Sequence, residues 1–249
     1  NMININKKEL KEIKKLSEIL KEHGIFTINN YLLKNEVSEL KEEVLHHHKI
    51  IGNSYPFGST YSIKNPNKLA NESFQKRIFS DSWMKELFLN YNKSVSKGFF
   101  DSVYSTHDYK FDGNIGRNGY LHFDRNSSLK FFLYLNDVTE DNGAFYIQPG
   151  SHKLGKKLRE KAWGAYIPAP NDSFFKKILR KTFGIDFKNV KNRLELDYPQ
   201  LYEPNKLVPV EGKAGTLIVF DSDIFHQGGK INIKDKERIV LRSHNYLSV

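Results

Sequence analysis

The chain has 249 residues, 39 % of them apolar and 13 % aromatic, with 39 Lys and Arg against 29 Asp and Glu for a formal charge of +10. That is enough for one sizeable core, so the expectation is a single domain over residues 1–249, and the cationic excess favours anionic partners. With no cysteine, disulfides, thiolate zinc sites, iron–sulfur clusters and cysteine nucleophiles are excluded; no stretch nears the roughly 18 apolar residues of a membrane span, no apolar leader opens the sequence, and the chain reads as cytoplasmic.

In chain order, Leu10, Ile13, Leu16, Ile19 and Leu20 fall at helical spacing and predict a helix over 7–22, ended by Gly24. Ile25 to Ile28 reads as a strand, and 38–48 as a second helix with Val37, Leu40, Val44 and Leu45 inward. The triplet His46, His47 and His48 reads as a solvated helix end, because consecutive helical side chains diverge by about 100° and chelate poorly. Residues 52–72, rich in Gly, Asn, Ser, Tyr and Pro, read as a loop, and 83–100 as a third helix.

From about 103 the pattern becomes that of strands: 121–124, 130–135, 144–148, 215–220 and 238–245, with turns at 136–143 and 149–152. Residues 153–206 interrupt the run as a long insertion. It holds a short basic amphipathic stretch at 174–183, read as a lid over the active site rather than a peripheral membrane contact. Helices first, then an antiparallel core, predict an α+β protein with a β-sandwich or jelly roll as its body.

His122 and Asp124 stand two apart, so an extended backbone turns both to one side, and His226 follows 104 residues after His122. Two imidazoles and one carboxylate cap one face of Fe(II) and leave open positions. Arg238, twelve residues beyond His226, can take a carboxylate in a bidentate grip. Arg242 is its rival, an even number of residues further along the same strand. His107 with Asp108 is rejected as a ligand pair, because adjacent strand residues face opposite ways. Asp221 and Asp223 could support a ligand histidine, although turn hydrogen bonds are the expected role of Asp221. Arg117, Arg125 and His152 are candidates for holding an anionic substrate.

Five segments in order carry a resemblance: Leu121 to Asp124, Thr139 to Ala144, Gln148 to Lys153, Ala214 to Asp221 and Phe225 to Gly228. Together with the helix–Gly24–strand–helix start, the chain resembles the phytanoyl-CoA dioxygenase-like branch of the Fe(II)/2-oxoglutarate oxygenases over about residues 8–247. The resemblance implies a double-stranded β-helix (cupin-like jelly roll) flanked by N-terminal helices. It implies His122, Asp124 and His226 as metal ligands, and Arg238 on the far carboxylate of 2-oxoglutarate. It places Phe132 as an aromatic lining the co-substrate pocket, with Lys64, Lys68, Tyr104 and Asn114 as candidates for a second polar contact.

The activity so implied uses O2 to decarboxylate 2-oxoglutarate to succinate and CO2 while a small, anionic metabolite is hydroxylated. Related halogenases replace the carboxylate ligand with a small residue, so Asp124 argues for C–H oxidation. The same iron can instead end in desaturation, epimerisation or cyclisation, and a non-catalytic cupin-like binding protein is the reading from another class. The lysines are dispersed and no nucleic-acid recognition motif is present.

Overall fold

A computed structural model describes residues 2–51, 53–54, 60–64, 78–91, 102–109, 119–163 and 191–246, and the architecture is that of these residues. After a short 3-10 turn at Lys7–Lys11 come helix α1 (Ile13–His23), strand β1 (Ile25–Ile28) and helix α2 (Lys34–Ile51). Strands β2 (Asn53–Ser54) and β3 (Thr60–Lys64) precede helix α3 (Ser82–Tyr91). Then follow β4 (Ser102–Asp108), β5 (Ser128–Tyr134) and β6 (Tyr146–Ile147). Helix α4 (His152–Trp163) leads into the insertion, and β7 (Val208–Pro209), β8 (Leu217–Asp221), β9 (His226–Gln227) and β10 (Arg238–Tyr246) complete the chain.

The strands form a seven-stranded sheet, β1-β8-β5-β10-β4-β3-β2, and a three-stranded sheet, β7-β6-β9. All pairings in both sheets are antiparallel. The larger sheet is covered on both faces, so β5 reads as a nearly continuous apolar run, yet its period of two still sorts the side chains. Leu129, Phe131 and Leu133 join Leu16, Leu20, Leu40 and Leu87 in a core against the helices. Tyr134, with Phe132 packed alongside, joins Ile147, Ile218, Phe220 and Val240 in the core between the sheets. By the same parity Lys130 points between the sheets, and so do Arg238, Arg242 and His244 of β10.

Several expectations are revised. The helix expected over 7–22 is divided at Glu12 (φ −89°, ψ 57°): Asn6 and Glu9 form a reciprocal capping box on the 3-10 turn, and α1 starts afresh at Ile13. Gly24 ends α1 in the left-handed region (φ 78°) that a side chain would disfavour. The region read as a loop, 52–72, contains β2 and β3, which pair with each other; β3 is set by its long-range partner β4, which leaves little local signature. His48 is not solvated: it is buried and hydrogen bonded to Ser105 Oγ at 3.0 Å. The 121–124 strand reduces to single bridges, His122 to Arg193 and His122 to His226. The basic stretch 174–183, and residues 92–100 of the expected third helix, lie outside the described residues.

Candidate metal and co-substrate site

The smaller sheet brings the two histidines face to face. His122 and His226 are direct antiparallel partners, His122 N donating to His226 O (2.9 Å) and His226 N to His122 O (2.8 Å). That pairing sets their rings 4.4 Å apart between centroids. Asp124 is anchored by its own N–H to Ser222 O at 3.0 Å, so a regular strand is not needed to present both residues on one side.

Local hydrogen bonds orient the imidazoles. The Nδ1 of His122 donates to Tyr120 O and the Nδ1 of His226 to Ile224 O, each at 2.7 Å. With the proton held on Nδ1, the lone pair of each ring lies on Nε2. Both Nε2 atoms face Asp124 Oδ1, at 3.9 Å from His122 and 3.4 Å from His226. One ligand atom from each residue can be chosen so that all lie within 4.8 Å of one another. Two cis ligands of one ion at about 2.1 Å are about 3 Å apart, so small side-chain adjustments close these three atoms on a single metal. Burial, and then the neighbouring His226, push the His122 pKa down to about 3, which keeps it a neutral ligand. Burial raises the Asp124 pKa, but Lys130 and then His226 outweigh it and hold the carboxyl well below its ordinary range. A neutral imidazole pair and an ionised carboxylate are the donor set a ferrous ion takes.

Phe132 lies between this cluster and β10. Its ring meets Phe220 edge-on at 4.9 Å and Phe145 at 5.6 Å, and it stacks on His244 at 6.2 Å. Phe220 in turn meets the His226 ring at 5.8 Å. Arg242 lies over Tyr104 and Phe132, 5.7 Å from each ring. Of the candidates for a second polar contact, Tyr104 lies here, while Lys68, Asn114 and the side chain of Lys64 lie outside what is described.

Arg238 is held from one edge. Its Nε and Nη2 donate to Asp108 Oδ2 at 3.0 and 2.6 Å, and Nη1 donates to Gly143 O. The cause is register: Asp108 is its direct partner across β10 and β4. Three of the five guanidinium N–H groups are engaged by these bonds, which leaves one hydrogen on each Nη for a carboxylate met end-on.

Among the other candidates, Arg117 lies outside the described residues. His107 bonds Glu237 at 2.9 Å. His152 packs under Gly24 and bonds Lys21 O at 3.1 Å, so it joins α4 to α1 rather than facing a ligand. Asp221 accepts from Asp223 N (2.8 Å) and Tyr91 Oη (2.5 Å), the turn role expected of it. Asp223 is gripped by Arg159 through Nε (2.7 Å) and Nη2 (3.1 Å). The sequence reading missed Lys130, whose Nζ lies 2.5 Å from Asp124 Oδ2. Its signal was a lone cation at an inward position of an apolar strand.

The sequence model of the phytanoyl-CoA dioxygenase (PhyH) family matches residues 116–238, the stretch that contains all three clustered side chains. Over that stretch the chain is similar to the phytanoyl-CoA dioxygenase-like family. Phytanoyl-CoA dioxygenase 1 of Oryza sativa subsp. japonica is 29 % identical over 128 residues, which are 51 % of this chain and 36 % of the rice protein. The Arabidopsis thaliana phytanoyl-CoA dioxygenase is 28 % identical over 128 residues, 51 % of this chain and 35 % of its own length. The match thus spans about a third of each plant protein. The jelly-roll fold extends further than the sequence match. The epimerase SnoN, solved with Fe3+, alpha ketoglutarate and nogalamycin RO, superposes with a TM-score of 0.61 at 15 % identity over 96 % of this chain and 84 % of its own. HygX of Streptomyces hygroscopicus, solved with nickel and 2-oxoglutarate, has a TM-score of 0.57 at 14 % identity over 93 % of this chain and 85 % of its own.

Proposed function

We propose that this phytanoyl-CoA dioxygenase-like chain is an Fe(II)- and 2-oxoglutarate-dependent oxygenase that hydroxylates a small anionic metabolite. The observation that carries the reading is the convergence of His122 Nε2, His226 Nε2 and Asp124 Oδ1, with both Nδ1 protons fixed by backbone carbonyls. In this reading His122, Asp124 and His226 hold the iron. Iron so held supplies, with O2, the oxidation that converts 2-oxoglutarate to succinate and CO2 and a substrate C–H to an alcohol.

The protein's own residues do the placing. Arg238, steadied by Asp108 along its Nε edge, offers the remaining Nη hydrogens to the far carboxylate of the co-substrate. Phe132 packs against the chain between its two carboxylates and keeps water from that stretch. Arg242 makes the wall between the sheets cationic, which suits an anionic substrate and agrees with the overall charge of +10. No helix of the described residues is long and apolar enough to cross a membrane, which fits the cytoplasmic setting inferred from the cysteine-free composition.

A second outcome has a specific motive. Two proteins sharing the fold at TM-scores of 0.61 and 0.57 are an epimerase and a carbocyclase, so the same cluster is compatible with stereochemical inversion or ring closure. Succinate release from 2-oxoglutarate with ferrous iron under air, measured with a metabolite library, tests the activity. The expected result is iron-dependent succinate, lost in His122→Ala and Asp124→Ala; equal release by either variant would refute the assignment.

A further inference from the structure

Asp124 uses its two oxygens differently. Oδ1 faces the two imidazoles, whereas Oδ2 is taken by Lys130 Nζ at 2.5 Å. The lysine side chain is 7 % exposed and enters between the rings of Phe220 (5.6 Å from Nζ to centroid) and Phe132 (6.0 Å). Its place follows from β5, where the parity that sends Leu129 and Phe131 to the helices sends Lys130 inward. Burying an ammonium has a large desolvation cost, and apolar residues of similar volume commonly replace buried ion pairs with no loss of stability. A lysine here is therefore poorly explained as a device for folding.

We propose that Lys130 is a positioning residue that restricts Asp124 to ligation through one oxygen. It acts on the carboxylate, not on substrate, and it rests on the reading that His122, Asp124 and His226 form the metal site. Two consequences follow from its charge and its hydrogen bonds. A metal ion held through Oδ1 could not also take Oδ2 without displacing the ammonium, which would leave it more capacity to bind a keto acid. The same positive charge would oppose a divalent ion held at Oδ1 and lower its affinity by about tenfold. Lys130 thus weakens the hold on the metal and preserves the room in which the co-substrate chelates it.

The test is anaerobic calorimetry with Mn(II), followed by 2-oxoglutarate titrated into the Mn(II)-loaded protein, for the parent, Lys130→Met, Lys130→Gln and Lys130→Arg. Lys130→Met is expected to bind Mn(II) about tenfold more tightly and 2-oxoglutarate about tenfold more weakly, because the charge is gone and the second oxygen is released. Lys130→Gln keeps a donor for Oδ2 without the charge. It should show the tighter Mn(II) binding and keep the parent's 2-oxoglutarate affinity, and it serves equally if Lys130→Met does not fold. Lys130→Arg should behave as the parent. Unchanged or weaker Mn(II) binding in the Met and Gln variants, or 2-oxoglutarate affinity unaltered in Met, would overturn the role of Lys130 alone. A parent that takes no Mn(II), or takes it as well when His226 is Ala, would overturn the metal site itself and the proposal with it.

Discussion

Two arginines four residues apart on β10 point between the sheets, and their surroundings divide their roles. Arg238 has a carboxylate along one edge and Gly143 O against Nη1, so its plane is fixed before any ligand arrives. Arg242 instead lies over the Tyr104 and Phe132 rings. A charge-assisted pair is worth about 1.5–3 kcal/mol, so Arg238→Ala should weaken 2-oxoglutarate binding by about 10- to 100-fold while metal affinity holds. Asp108→Asn should weaken it less, by loosening the guanidinium. A loss confined to Arg242→Ala in the same titration would move the anchor to that residue. Asp221 carries a separate prediction. Burial and the adjacent Asp223 push its pKa up to about 7 from a normal 3.8. Between those values the folded state holds the proton more tightly than the unfolded chain, so this residue's contribution to stability is lost as pH rises through the window. Asp221→Asn should therefore flatten the decline in denaturant midpoint between about pH 4 and 7 relative to the parent. An identical decline in both proteins would show that Asp221 does not titrate there.

At the scale of elements, the loop that delivers His226 is braced from outside the sheets by α4. Arg159 of α4 grips Asp223 in a pair whose side chains are 3 % and 1 % exposed. Gly155, one turn earlier, lets the helix approach so closely that an added Cβ would lie 1.9 Å from Asp223 O. Backbone cannot yield as a side chain does, so Gly155→Ala should destabilise the protein by about 1–3 kcal/mol and loosen metal binding through the His226 loop. An unaltered melting temperature would show that α4 does not brace it. Elements of this kind explain what was legible in the sequence. The apolar periodicity of α1 and α2, the Gly24 stop, and strands β1, β5, β8 and β10 were readable, because period and termination signals are local. The bridges at His122, the pairing of β3 with β4 and the burial of His48 were not, since each depends on a partner distant in sequence.

At the scale of the whole molecule, a large sheet backed by helices presents Phe132, Arg238 and Arg242 inward, while the smaller sheet and adjoining bridges present the two histidines and Asp124. The candidate site was legible as a set because His122, Asp124 and His226 combine a two-residue step with residue types suited to one ion. What surrounds that set was hidden by register: Asp108 faces Arg238 only through the β4–β10 alignment, and Lys130 reaches Asp124 only once β5 is placed in its sheet. In the proposed function, three remote side chains form one metal site through which the keto acid binds. Its most direct test is anaerobic titration of 2-oxoglutarate into the protein with and without one equivalent of Mn(II). Saturable binding that requires the metal, and that disappears in His226→Ala, is the predicted result; binding of equal strength with or without Mn(II), or none in either, would contradict it.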